Sequence, residues 1–142
     1  FIHQDAAGYV AEEKCDIAAC VGATWIAGGV AGTIELLSKS LKPGGMLLIG
    51  EPYWRQVPAT EEIAQACGAS SGYDLVEMVL ADQEGWDRYE AAKWLTMRRW
   101  LEENPDDEFV PEVRTELTMA PKRHATYTRE YFGWGVFALI KR

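Results

Sequence analysis

At 142 residues and 15.9 kDa, the chain is long enough to bury a core and short enough to form one domain, residues 1–142. Apolar residues make up 48% and charged residues 25%, the proportions of an ordinary globular protein. A net charge of −8 without a basic stripe argues against nucleic acid as a partner, and no apolar run reaches the roughly 20 residues of a membrane span.

Phe1 to Gln4, ending at Asp5-Ala6, is predicted as a short strand running into a loop. Asp16 to Val21 ("DIAACV") is a second, buried strand that ends at Gly22-Ala23. Gly32 to Leu41 is predicted as a helix, with Ile34, Leu37 and Leu41 on one face at steps of three and four. Pro43-Gly44-Gly45 stops that helix and turns the chain, and Met46 to Gly50 is the next buried strand. Strands and helices joined by short turns predict a parallel sheet with crossover helices.

Thr60 to Cys67 opens on Thr-Glu-Glu, an N-cap followed by acids, and reads as a helix ending at Gly68. Tyr73 to Leu80 is a strand with one partly polar face. Gly85 to Glu103 is a long, aromatic-rich helix closed by Asn104-Pro105. Asp107 to Met119 is another, with Pro111 in its first turn and Pro121 breaking it. The run "YFGWGVFALI" forms a final apolar strand.

Cys15, Cys20 and Cys67 show no CxxC spacing, and only His3 and His124 accompany them. Neither a disulfide framework nor a metal site is expected, and reduced thiols in a cytoplasmic protein fit better. No signal-peptide pattern is read, and the chain starts at Phe1 as though it were part of a longer protein.

Glu51, Tyr53 and Trp54 follow a buried strand at its carboxyl end, where open α/β sheets place ligands. The competing reading is a loop whose aromatics cap the core. Ala27, Gly29 and Gly32 ("AGGVAG") approximate a dinucleotide fingerprint, with Glu51 about twenty residues on. Its first glycine is Ala, however, and about six residues separate the strand from the motif. Asp87 and Glu90 read as a solvated helix face more readily than as paired catalytic carboxylates. Trp86, Trp94 and Trp100 read as packing, and His124 as an exposed residue of a basic loop.

In order and in wording, these segments resemble the C-terminal two-thirds of a class I S-adenosylmethionine-dependent methyltransferase. The residues that carry the resemblance are "FIHQDAAGY", "KCDIAACVGATW", "LLSKSLKPGGMLLIGEPYW", "GWDRYEAAKWL" and "REYFGWGVFALIKR". The resemblance implies a truncated Rossmann-like α/β sheet, mostly parallel with an antiparallel last strand, and a helical insertion before that strand. It implies donor contacts at Asp5 and Ala6, at Cys20, Val21 and Gly22, and at Trp25. It places Glu51, Tyr53, Trp54, Trp86 and Tyr89 around a small-molecule substrate.

The family's glycine-rich loop and ribose-binding acid would precede Phe1. S-adenosylmethionine binding by this chain alone is therefore expected to be weak or absent. No catalytic residue is assigned, because methyl transfer asks mainly for alignment of acceptor, methyl and sulfur. The alternatives are a non-catalytic oligomerising or binding module and a dinucleotide-binding oxidoreductase fragment. A homodimer is expected, because the Asp16–Val21 strand would lie at an open edge.

Overall fold

The computed structural model describes residues 1–55 and 72–142. Four strands form one sheet: β1 (Cys15–Val21), β2 (Leu41–Trp54), β3 (Tyr73–Leu80) and β4 (Phe132–Lys141), in the order β1-β2-β4-β3. β1 and β2 are parallel, whereas β4 runs antiparallel to β3. The chain packs as two compact units. One comprises Phe1–Leu80 with Trp134–Arg142, and the other Ala81–Gly133.

The first unit is built on helix α1 (Val30–Ser38), which lays Ile34 against Leu47 and Ile49 of β2 and Leu139 of β4. These four are between 0% and 2% exposed, each contributing about 1.5–3 kcal/mol by leaving water. The uninterrupted apolar runs of β2 and β4 thus mark central strands. β1, predicted as a buried strand, instead sits at an edge of the sheet formed by the described residues: Ile17 and Val21 are exposed and Cys20 alone is buried, because among these residues only β2 and α1 cover it.

Phe1–Gln4, predicted as a strand, forms none, and Phe1 and Ile2 are exposed. A strand needs a neighbouring ladder, and β1 takes its partner from β2 alone among the described residues. Pro43-Gly44-Gly45, predicted to lie before the strand, falls inside β2. The register steps from Cys15↔Leu41 to Ile17↔Met46, so residues 42–45 bulge opposite Asp16, with Gly44 at φ +74°. Lys42 Nζ bonds both Asp16 carboxylate oxygens across that bulge, at 2.9 and 3.0 Å. Helix α1 starts two residues before the predicted Gly32 and stops at Ser38. The predicted helix Thr60–Cys67 lies outside the described residues.

The second unit is helical. α2 (Gln83–Glu103) is capped by Asp82, whose carboxylate accepts from the Gly85 N–H at 2.6 Å. α3 (Val110–Arg123) packs along α2 and contains Pro121, which was expected to end it. Proline withdraws one N–H from the ladder. The helix nevertheless continues: the His124 N–H reaches the carbonyls of Ala120 and Pro121. The chain then widens into a π turn at His124–Thr128 before the short α4 (Arg129–Tyr131).

Candidate functional site

The carboxyl ends of β1 and β2 are held together by backbone. Val21 pairs with Gly50, and the Gly22 N–H donates to the Gly50 carbonyl at 2.8 Å. A side chain at position 50 would stand 2.7 Å from Val21 Cγ1, so glycine is what lets the strands approach here. At Gly22 (φ +70°) the chain leaves the sheet, and an added Cβ would meet the Trp134 ring at 3.3 Å. A short 3₁₀ turn, Thr24–Ala27, then leads into α1.

Two side chains fix that loop. Glu51 Oε1 accepts from the Thr24 N–H at 3.2 Å, and Thr33 Oγ1 donates to the Thr24 carbonyl at 2.9 Å. Thr24 and Thr33 are buried. Glu51, picked out as a polar substrate contact, therefore also ties the end of β2 to the loop after β1. Trp25 stands 77% exposed on the loop, Tyr53 is half-buried, and Trp54 is exposed.

Behind β1 lies a cavity of about 280 Å³ with mainly apolar walls, among them Ala6, Tyr9, Cys20, Ile26 and Leu36. Ala6 and Cys20, two of the expected donor contacts, share it; Asp5, Val21, Gly22 and Trp25 are not among its walls. Asp5 is exposed, and its carboxylate accepts from the Ala7 N–H at 2.9 Å, shaping the turn that presents Ala6. Burial pushes the Cys20 thiol up; a hydrogen bond from the Ala23 backbone pulls the other way, and the Glu51 charge adds to the rise. Cys20 is thus a neutral wall and not a reactive thiolate.

The glycine motif has a structural explanation. Gly29 is the N-cap of α1, and a Cβ on Gly32 would lie 2.0 Å from the Ala27 carbonyl oxygen. The glycine serves the packing of the 3₁₀ turn on α1.

Trp86 and Tyr89 belong to the second unit. Their rings stack at 5.6 Å with planes 12° apart, and Lys93 Nζ lies 5.5 Å from the Tyr89 centroid. Trp86 is buried and Tyr89 exposed. In the same unit, His124, expected to be exposed, is 5% exposed. Its Nε2 lies 2.8 Å from Asp87 Oδ1 and its Nδ1 3.1 Å from Thr128 Oγ1. The Asp87 carboxylate also accepts from Gln83 Nε2 and Arg129 Nε.

The hydrogen bond from His124 holds the Asp87 carboxyl down at about 2, with Gln83 and Arg129 adding to the effect against partial desolvation. A depressed acid stabilises the fold fully above the ordinary carboxylate range, and the contribution is lost as pH falls from 3.8 towards about 2. Asp87 is therefore no solvated face residue, and sequence reasoning missed the cluster because its members lie 37 and 42 residues apart.

Among the described residues, no three His, Cys, Asp or Glu side chains are placed to hold a metal ion. None of the described helices is long and apolar enough to cross a membrane.

No protein-family model matches the chain. It is 74% identical, over an alignment of 159 residues, to the uncharacterized protein YjhP of Escherichia coli K12, covering 100% of this chain and 64% of that protein. The crystal structure of YjhP superimposes with a TM-score of 0.86 over all of this chain and 65% of that one. A methyltransferase from Geobacter sulfurreducens, crystallised with S-adenosyl-L-homocysteine, is 66% identical with a TM-score of 0.85, over 100% of this chain and 64% of its own. Its counterpart from Thiobacillus denitrificans, with the same ligand, is 63% identical with a TM-score of 0.85 and the same coverage. The chain thus spans a little under two thirds of the relatives it matches.

Proposed function

We propose that this chain, which has the class I methyltransferase fold, is part of an S-adenosylmethionine-dependent methyltransferase and carries one side of its donor site. The observation that carries the reading is the 66% and 63% identity to methyltransferases crystallised with the demethylated donor. The fit of this chain's residues is partial. The apolar cavity at Ala6 and Cys20 suits the flat, weakly polar adenine, and the exposed Asp5 carboxylate beside Ala6 supplies an acceptor for its amine. Gly22 and Trp25 bring backbone and an indole to the loop that Glu51 pins.

When bound, the donor supplies a methyl group on a positively charged sulfur. Loop and strand ends hold it in line with an acceptor, and alignment accounts for most of the rate. Tyr53 and Trp54, at the end of β2, are the walls proposed for a small-molecule acceptor in a cytoplasmic enzyme. The two units form one partial domain in this reading.

None of the residues proposed here is assigned to the donor's ribose. Calorimetric titration of S-adenosylhomocysteine into the purified chain is expected to give a dissociation constant of about 100 µM or weaker. A sub-micromolar constant from the chain's own site would refute the proposal of a partial site.

The proposal extends to a two-fold dimer that buries the β1 edge, since an open edge with Ile17 and Val21 exposed is a template for pairing. Light scattering at micromolar concentration should report twice the 15.9 kDa chain mass. A single species at the chain mass would remove the dimer from the account.

A further inference from the structure

The turn after β1 lies between a carboxylate and an indole. Gly22 leaves the sheet at φ +70°, with its N–H bonded to the Gly50 carbonyl at 2.8 Å. One residue beyond Gly50, Glu51 is half-buried and places Oε1 3.2 Å from the Thr24 N–H. From β4, the half-buried Trp134 reaches the same turn: its Cη2 would stand 3.3 Å from a Cβ on Gly22. Gly22, Thr24, Glu51 and Trp134 all belong to the first compact unit.

Glu51 carries an unbalanced charge. Among the described residues its hydrogen bond is the one to Thr24, and no lysine, arginine or histidine pairs with it. A backbone N–H is a dipole without net charge, so the carboxylate stays unneutralised and its second oxygen stays without a protein donor. An acid drawn part-way out of water with no counter-ion favours a cation beside it. Its field reaches the end of β1. Burial is the main cause of the raised Cys20 thiol, but the Glu51 charge adds to the rise. The Trp134 ring keeps water from one side of the turn, and a field in such a place is screened less than on an open surface.

We propose that Glu51 is the charge-selecting residue of the donor site: across the Gly22–Thr24 turn it favours the sulfonium donor over the neutral thioether that methyl transfer leaves behind. The proposal rests on the reading of this chain as one side of a methyl-donor site and deepens it. Donor and product share their adenine, ribose and amino-acid ends and differ at sulfur by a methyl group and a positive charge. Contacts to the shared parts hold both molecules alike. A fixed negative charge near the turn acts on the sulfonium alone, and specificity is such a difference of affinities. Once the methyl group has gone, the attraction goes with it, which favours exchange of product for fresh donor. A half-screened charge of this kind changes the affinity of a cation about three- to fivefold.

Dissociation constants for S-adenosylmethionine and S-adenosylhomocysteine, obtained by amide-shift titration of the full chain, test the proposal in wild type, Glu51→Gln and Glu35→Gln. Glutamine at position 51 keeps an oxygen that accepts from Thr24 and removes only the charge. Glu35→Gln removes an exposed charge from α1 and controls for net charge. The readout is the product's constant divided by the donor's, in which any loss of folding or site shape common to both ligands cancels. That ratio should fall about three- to fivefold in Glu51→Gln and stay unchanged in Glu35→Gln. Equal weakening of both ligands by Glu51→Gln would make Glu51 a loop tether only; that result, an unchanged ratio, or an equal fall in both variants would overturn the proposal and leave the donor site in place. Failure of the wild-type chain to bind either ligand at about 5 mM would instead remove the donor-site reading, and the charge selection with it.

Discussion

Gly32→Ala is expected to lower the melting temperature by about 10 °C, the larger of two destabilisations that follow from this packing. The new methyl carbon would stand 2.0 Å from the Ala27 carbonyl oxygen, where no heavy atom can sit. That oxygen belongs to backbone, so relief requires either the 3₁₀ turn or the start of α1 to move. Movement stretches the Thr33–Thr24 hydrogen bond, which is buried at both residues. It also pulls Thr24 away from Glu51. Overpacking costs about 1–3 kcal/mol and an unmade buried hydrogen bond a further 1–3, for a loss of about 3 kcal/mol. Glu35→Ala, an exposed change one turn along the same helix, should cost less than about 0.5 kcal/mol. Thermal melting of the two variants separates them; equal melting temperatures would show that the loop after β1 is not packed as described.

His124→Ala should destabilise the helical unit by about 2–3 kcal/mol. The imidazole bridges α2 and the π turn, packing edge-on against Trp94 with ring centroids 5.6 Å apart. Removing it opens a cavity and strands Thr128. Asp87 keeps its bonds to Arg129 and Gln83, which limits the loss. His124→Asn, which can still donate to one neighbour, should recover part of it. Urea unfolding followed by helical circular dichroism gives both values. A loss under about 0.5 kcal/mol in the alanine variant would make the buried imidazole energetically idle.

The sheet was largely legible because its strands are written in long apolar runs. "MLLIG" and "VFALI" lie in the central strands, and "DIAACV" lies in a strand too, though an edge one with Ile17 and Val21 exposed. The long helix was legible through its aromatic-rich run and the Asn104-Pro105 that closes it, whereas its start was read at Gly85 and lies at Gln83, capped by Asp82. Local rules failed where a distant partner decided the outcome. Phe1–Gln4 has the composition of a strand and no ladder to join. Gly44 and Gly45 turn the chain, yet β1 recaptures it on both sides of the turn. Pro121 should end a helix, but the helix runs through it to Arg123 and only then widens into the π turn.

At the site, the position of Glu51 at a strand end was readable, whereas its bond to the Thr24 N–H was not, because nothing in the sequence aims a side chain at a particular amide 27 residues away. His124 was misread for the same reason. Its basic neighbours Lys122 and Arg123 suggested exposure, while Asp87 and Thr128 pull the ring inward.

The central claim is that the carboxyl end of β1, with the turn at Asp5 and Ala6, is one side of a methyl-donor site. Amide chemical-shift mapping during titration with S-adenosylhomocysteine tests it most directly. The account predicts fast-exchange shifts concentrated at Asp5–Ala7 and Cys20–Trp25, reduced by Asp5→Ala and by Gly22→Val. Shifts confined to the helical unit, or none at saturating ligand, would contradict it.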